Sequence, residues 1–171
     1  DEICFIKSMR TNEFNHGPAQ LLAHTGINRG GNPSLGSWVN YGLGSVGENL
    51  PGYVVFLSGV LPGGGRGLWS NGFLPSINQG VEFRSQGEPV LFLNDPPGVD
   101  KARRRRILDG IQSLNRSRSQ NSPDREIQTR MDQYELAFKM QSSVPELMDL
   151  ACEPSSVLSL YGDSEFAKHC L

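Results

Sequence analysis

Apolar residues come in short unbroken runs before residue 98 and at helical spacing after it. Ile3-Cys4-Phe5-Ile6 and Tyr53-Val54-Val55-Phe56-Leu57 are runs of strand length. They predict strands over 3–8 and 53–58, covered on both faces, the first of them central in a sheet. Pro89-Val90-Leu91-Phe92-Leu93 predicts a third strand. Asn15 before 17–25 and Gly26 after it read as the caps of a short helix. A second helix is predicted over 34–42, with Asn32 or Pro33 before it and Gly42 or Gly44 after it. Between 59 and 88, Trp69, Phe73, Leu74 and Phe83 stand among glycines and polar residues. A connection of this length is usually functional or disordered, and the aromatics argue against disorder.

Beyond residue 98 the period changes. Ile107, Leu108, Ile111 and Leu114 recur at helical spacing. The stretch 115–122 reads as a polar linker, and Ser122-Pro123-Asp124 as a helix start. Ile127, Met131, Tyr134 and Phe138 mark one face of the next helix, with Leu136 and Met140 on a second. That helix is expected to be covered on two sides. Ser143-Val144-Pro145-Glu146 resembles a capping box opening a new helix, and Glu153-Pro154 opens another that ends at Gly162. Apolar strands mixed with helices predict an α/β fold.

Composition sharpens the division. Of 20 glycines, 18 lie between Gly17 and Gly98, whereas 11 of 16 basic and 11 of 18 acidic residues lie in 99–171. The formal charge of −2 argues against a protein that coats nucleic acid or an anionic membrane. No apolar run approaches the roughly 18 residues of a membrane span. Arg103 to Arg106 are flanked by acids on a predicted helix, so a solvated helix face is favoured over a nucleic-acid patch. The three cysteines show no CxxC spacing and no histidine cluster, which disfavours structural zinc. Cys152 and Cys170 could pair and leave Cys4 free, or all three are ordinary thiols. The chain opens at Asp1 directly in an apolar run and closes in an uncapped helix-like stretch. Both ends therefore read as cut from something longer.

Candidate chemistry gathers near His16. A histidine at a helix start has three functional uses: binding a phosphate or sulfate group, acting as nucleophile, or holding a metal. Its structural alternative is a histidine bonded to nearby loop backbone. Arg10, Thr11, Asn12, Glu13 and Asn15 follow the first predicted strand, where α/β folds bind ligands, or else form a plain polar loop. Gly63-Gly64-Gly65-Arg66-Gly67 lacks the lysine and hydroxyl of a phosphate-binding loop and fits a lid or surface loop better. No serine elbow, HExxH, DxDxDG or kinase motif is present.

Several blocks of the chain, in order, carry a resemblance. They are Ser8-Met9-Arg10-Thr11 with Asn15-His16-Gly17-Pro18-Ala19 and His24-Thr25-Gly26; Gly36-Ser37-Trp38-Val39-Asn40-Tyr41-Gly42-Leu43-Gly44 with Leu50-Pro51-Gly52; Gly72-Phe73-Leu74-Pro75, Gln79-Gly80-Val81 and Pro96-Pro97-Gly98-Val99; and Met140 through Leu150. Together they resemble the bacterial domain of unknown function 1501, a sulfatase-like branch of the alkaline phosphatase superfamily. The resemblance implies a partial alkaline-phosphatase-like α/β core, a mostly parallel sheet flanked by helices. Residues 1–171 would be a single partial domain inside a larger one, with a Gly/Pro-rich strand-loop part (1–98) and a helix-rich C-terminal part (99–171). It also implies an exported, metal-dependent hydrolase of sulfate or phosphate esters, sugar esters among them. The other reading is a non-catalytic relative that keeps the fold and binds a ligand or partner. Sulfatases carry Cys/Ser-x-Pro-x-Arg followed by Thr-Gly; here His16-Gly17-Pro18-Ala19-Gln20 runs to Thr25-Gly26 with the same spacing. His16 thus falls at the nucleophile position, although it is neither Cys nor Ser, and Gln20 replaces the helper arginine. The resemblance assigns catalysis to His16 and Asn15, and substrate binding to Arg10, Thr11 and Trp69. It places the ligands of a divalent metal ion outside these residues, so that the fragment alone binds none and is inactive.

Overall fold

Asn15 begins the first helix by standing in extended conformation and accepting a hydrogen bond from the Gly17 N–H through its side chain. Helix α1 (His16–Thr25) then ends at Gly26, whose φ of 79° suits a residue without Cβ and turns its N–H onto the Leu22 carbonyl. Helix α2 (Leu35–Leu43) is capped by Ser34, one residue later than expected, and ends at Gly44. The computed structural model describes residues 3–57, 59–84, 87–119 and 125–170, and of residues 119, 125, 152, 165, 168 and 169 the backbone alone.

Two strands, β1 (Val54–Leu57) and β2 (Val81–Arg84), pair in parallel with Val54 opposite Val81 and Leu57 opposite Arg84. Parallel strands need a crossover. Here the crossover contains two single 3-10 turns, Gly65–Trp69 and Ser76–Asn78, in place of an α-helix. The C-terminal half is helical: α3 (Lys101–Ser119), α4 (Arg125–Leu147), α5 (Ser155–Tyr161) and α6 (Glu165–Cys170), with a 3-10 turn at Leu150–Cys152. The fold is therefore α/β. No helix among the described residues is long and apolar enough to cross a membrane. Cys4 and Cys170 are free and exposed.

The core lies between β2 and α4. Phe83 is 1% exposed and clusters with Met140 and Val144; Leu50, Val54, Val81, Val90, Leu93, Leu136 and Met148 pack around them. This explains why α4 does not stop at Ser143, where a new helix was expected. Met140 and Val144 lie one turn apart on the buried face. Their burial outweighs the helix bond lost at Pro145, which falls in the last turn. Cover on two sides is only partial, since Met131 and Met140 are buried but Tyr134 is exposed.

Other expectations are corrected. Residues 3–8 form no strand, and Phe5 is 79% exposed. An isolated strand leaves its backbone groups unpaired, and β1 and β2 pair with each other. Residues 89–93 form bends and a turn, not a strand. The strand that joins β1 is β2, inside the segment read as irregular. Residues 115–119 are helical, with Arg116 and Arg118 at the helix end that favours cations. The expected start at Ser122-Pro123-Asp124 lies outside the described residues. On α3, Leu108 is buried, but Ile107 and Leu114 are exposed.

Candidate functional site

His16 is the first residue of α1 and is exposed. A helix start normally offers unpaired N–H groups to an anion. Here Asn15 Oδ1 takes the Gly17 N–H at 3.2 Å, Pro18 has none, and the Ala19 N–H goes to the Asn15 carbonyl at 3.0 Å. The first turn thus offers an anion at most the His16 N–H, together with the imidazole.

The glycine-rich loop packs against this same turn. A Cβ on Gly17 would stand 3.1 Å from the Gly63 carbonyl oxygen, and one on Gly63 would stand 3.5 Å from Gly17 Cα. The Gly64 N–H donates to Gln20 Oε1 at 2.9 Å. Gln20 therefore anchors the loop. Sequence reasoning read Gly63 to Gly67 as a lid or surface loop. Nothing in the linear order shows that it meets the first turn of α1.

The other candidates are dispersed. Arg10 and Thr11 are exposed; Thr11 Oγ1 accepts from the Glu13 N–H at 3.1 Å, and Glu13 Oε1 accepts from Asn28 Nδ2 at 2.7 Å. Those bonds tie the loop before α1 to the segment after it. Trp69 is only 5% exposed, and its carbonyl accepts from the Gly80 N–H and from Gln79 Nε2. It lines a cavity of about 320 Å³ with Arg66, Gln79, Glu82 and Leu91. None of Arg10, Thr11, Asn15 and His16 lines that cavity. The structure sets the glycine loop against Gly17 and Gln20 of α1, next in the chain to Asn15 and His16, while Trp69 belongs to a different recess.

Sequence reasoning missed a larger recess of about 410 Å³ between α2, the Ser76–Asn78 turn and α4. Asn40, Asn78, Asp132, Glu135 and Lys139 line it. Asn40 Nδ2 donates to Asn78 Oδ1 at 3.1 Å, while the buried Asn40 Oδ1 has no donor among the described residues and lies against Gly52. No spacing signal links three elements so far apart in sequence.

The basic run serves the fold. Arg105 bonds both oxygens of Glu135 through Nη1, at 2.9 and 2.8 Å, and reaches Asp109 through Nε at 2.8 Å. The hydrogen bond to Glu135, then that to Asp109, holds the Arg105 pKa above its ordinary value. Arg104 lies 3.6 Å from Asp95, and the Arg105 guanidinium stands 5.0 Å from the Phe138 ring.

A metal finds no ligand set among these groups. No three His, Cys, Asp or Glu side chains among the described residues are grouped to hold an ion, and Glu13 is engaged by Asn28. The described residues thus do not fit a metal centre by themselves.

A family model described as protein of unknown function (DUF1501) matches residues 1–171. No curated protein and no solved structure matches the chain.

Proposed function

The chain belongs to the DUF1501 family, and on that premise we propose that it supplies the nucleophile-bearing part of an exported, sulfatase-like hydrolase of phosphate or sulfate esters. The observation that carries this reading is the placement of His16: exposed on the first turn of a doubly capped helix, with the Gly63–Gly65 loop fixed against that turn through Gln20. The capping at both ends fixes the helix backbone that carries the imidazole. Its sequence position, two residues before Pro18 and nine before Thr25-Gly26, is that of the nucleophile in the pattern the chain resembles.

In this reading an imidazole nitrogen of His16 attacks the phosphorus or sulfur of the ester. The new N–P or N–S bond replaces the bond to the leaving oxygen, and the alcohol departs with a proton from water. Water then attacks the adduct, releasing phosphate or sulfate and restoring the imidazole. The first turn offers so few N–H donors that groups outside it must carry the charge developing on the ester oxygens. The resemblance assigns that role to a metal whose ligands lie outside residues 1–171.

The test is hydrolysis of para-nitrophenyl phosphate and para-nitrophenyl sulfate by the full-length protein and its His16→Ala variant. The variant is expected to lose at least about 100-fold in kcat/KM, with thermal stability unchanged because His16 is exposed. Activity retained within about threefold would rule out His16 as nucleophile. A full-length protein that cleaves neither ester would point to the non-catalytic reading.

A further inference from the structure

Residues 89–93 have the sequence of a strand and the conformation of bends and a turn, beside the edge of β2 that no other strand among the described residues pairs with. In β2 the Val81 N–H donates to the Tyr53 carbonyl at 2.9 Å, on the side of β1. Backbone groups alternate in direction along a strand, so those of Glu82 and Arg84 point away from β1. One of them already has a partner there: the Arg84 N–H donates to the Pro89 carbonyl at 2.8 Å. Four residues, 85–88, separate the two, which is a hairpin spacing.

That bond sets a register. Continued antiparallel, it places Val90 opposite Phe83, Leu91 opposite Glu82, and Phe92 opposite Val81. Val90 already packs against the Phe83 cluster. Beyond it the ladder stops. Phe92 has a φ of 59°, unfavourable for a residue with a bulky side chain, and is 93% exposed. An apolar cavity of about 240 Å³, lined by Val81, Ala137, Met140 and residues 90–93, lies beneath this segment. The face of β2 that carries Val81 and Phe83 is the one that meets α4, so a zipped Phe92 would enter this cavity.

We propose that residues 89–92 form a strap that exchanges between this turn and a third strand, zipped antiparallel onto the free edge of β2 with Phe92 seated against Val81 and Met140. Closure relieves the positive φ, buries the ring and pairs the outward backbone groups of Glu82. Opposing it, Pro89 has no N–H to return to Arg84, so the first rung of the ladder has one bond instead of two. Leu91 and Phe92 also line the Trp69 cavity, so closure, which moves the Phe92 ring to the α4 side, changes the lining of that recess. The inference does not depend on the hydrolase reading.

Amide hydrogen exchange, resolved by residue in the whole chain, tests it. With the strap exchanging, the Glu82 and Leu91 amides exchange at least about tenfold slower than in an unstructured peptide. Unprotected amides at both positions would overturn the proposal. Phe92→Gly accepts the positive φ and removes the ring that closure buries. Leu91→Pro removes the N–H that Glu82 would receive. Each is expected to restore near-unprotected exchange at Glu82 while Val81, bonded to β1, stays slow. Exchange at Glu82 that is unchanged in either variant would also overturn it.

Discussion

Between α1 and β2 many backbone groups are held by side chains, whereas within α3 and α4 the backbone holds itself. In the first region Ser37 Oγ donates to the Ser70 carbonyl at 2.9 Å, and Gln79 bridges the Asn71 N–H and the Trp69 carbonyl. Asn71 Nδ2 reaches the Leu74 carbonyl at 2.5 Å, and Gln20 takes the Gly64 N–H. In the second region α3 and α4 close their own backbone bonds, and the side chains bond each other, as Arg105 does with Glu135 and Asp109. Buried backbone groups must be paired in either case. Where glycines prevent long helices or ladders, amides and hydroxyls supply the partners. Residues that read as loop filler, such as Ser34, Ser37 and Asn78, are therefore among the most buried polar groups.

The comparison can be tested by breaking each region in turn. Phe83→Ala strikes the cluster both regions share and is expected to destabilise by roughly 3–5 kcal/mol in denaturant unfolding. A loss below about 1 kcal/mol would mean that the two halves do not share a core. Gly72→Ala is specific to the first region. Its φ is 52°, and a Cβ would run into the backbone of Asn32 and Pro33. Crowding of about 1–3 kcal/mol adds to about 1–2 kcal/mol for the left-handed conformation. Denaturant unfolding reads the loss, and a cost below about 1 kcal/mol would mean that the Asn32–Pro33 backbone gives way to the added Cβ. Ser37→Ala removes two buried bonds, to the Ser70 carbonyl and with the Ser34 hydroxyl, while the Ser70 carbonyl keeps that from the Ser34 N–H, so about 1–2 kcal/mol is expected.

The smallest effect belongs to the second region. Arg105→Gln breaks a half-exposed pair and should cost about 0.2–1 kcal/mol, less at high salt. The pKa of Arg105 is raised by its partners, so the charge it contributes is present throughout the neutral range. It is lost only as pH rises through that elevated value. A melting-temperature difference between wild type and Arg105→Gln that is constant from pH 6 to about 9 is therefore expected. A difference that vanished within that window would contradict this assignment.

Much of the fold was legible wherever a local signal was complete. Asn15 and Gly26 bracket α1, Pro154 and Gly162 bracket α5, and the apolar run at 53–58 contains β1. The illegible parts are those decided by distant partners. Ile3-Cys4-Phe5-Ile6 and Val90-Leu91-Phe92-Leu93 have strand composition, yet a strand exists only if another edge receives it. Val81–Arg84, with alternating polar residues, becomes the strand because β1 pairs with it and Phe83 faces α4. At the candidate site, the place of His16 at a helix start follows from Asn15 and Gly26. The packing of the glycine loop against that helix start, the role of Gln20 and the burial of Trp69 do not.

The sequence by itself determined the α/β character, the caps of α1, the helical second half and family membership, because these rest on residues near one another in the chain or on the order of whole blocks. Tertiary structure alone decided which apolar runs pair, that α4 continues through Pro145, and that the glycine loop lies on the first turn of α1. In each case the outcome depends on burial and hydrogen-bond partners brought together across tens of residues, and no local propensity carries that information.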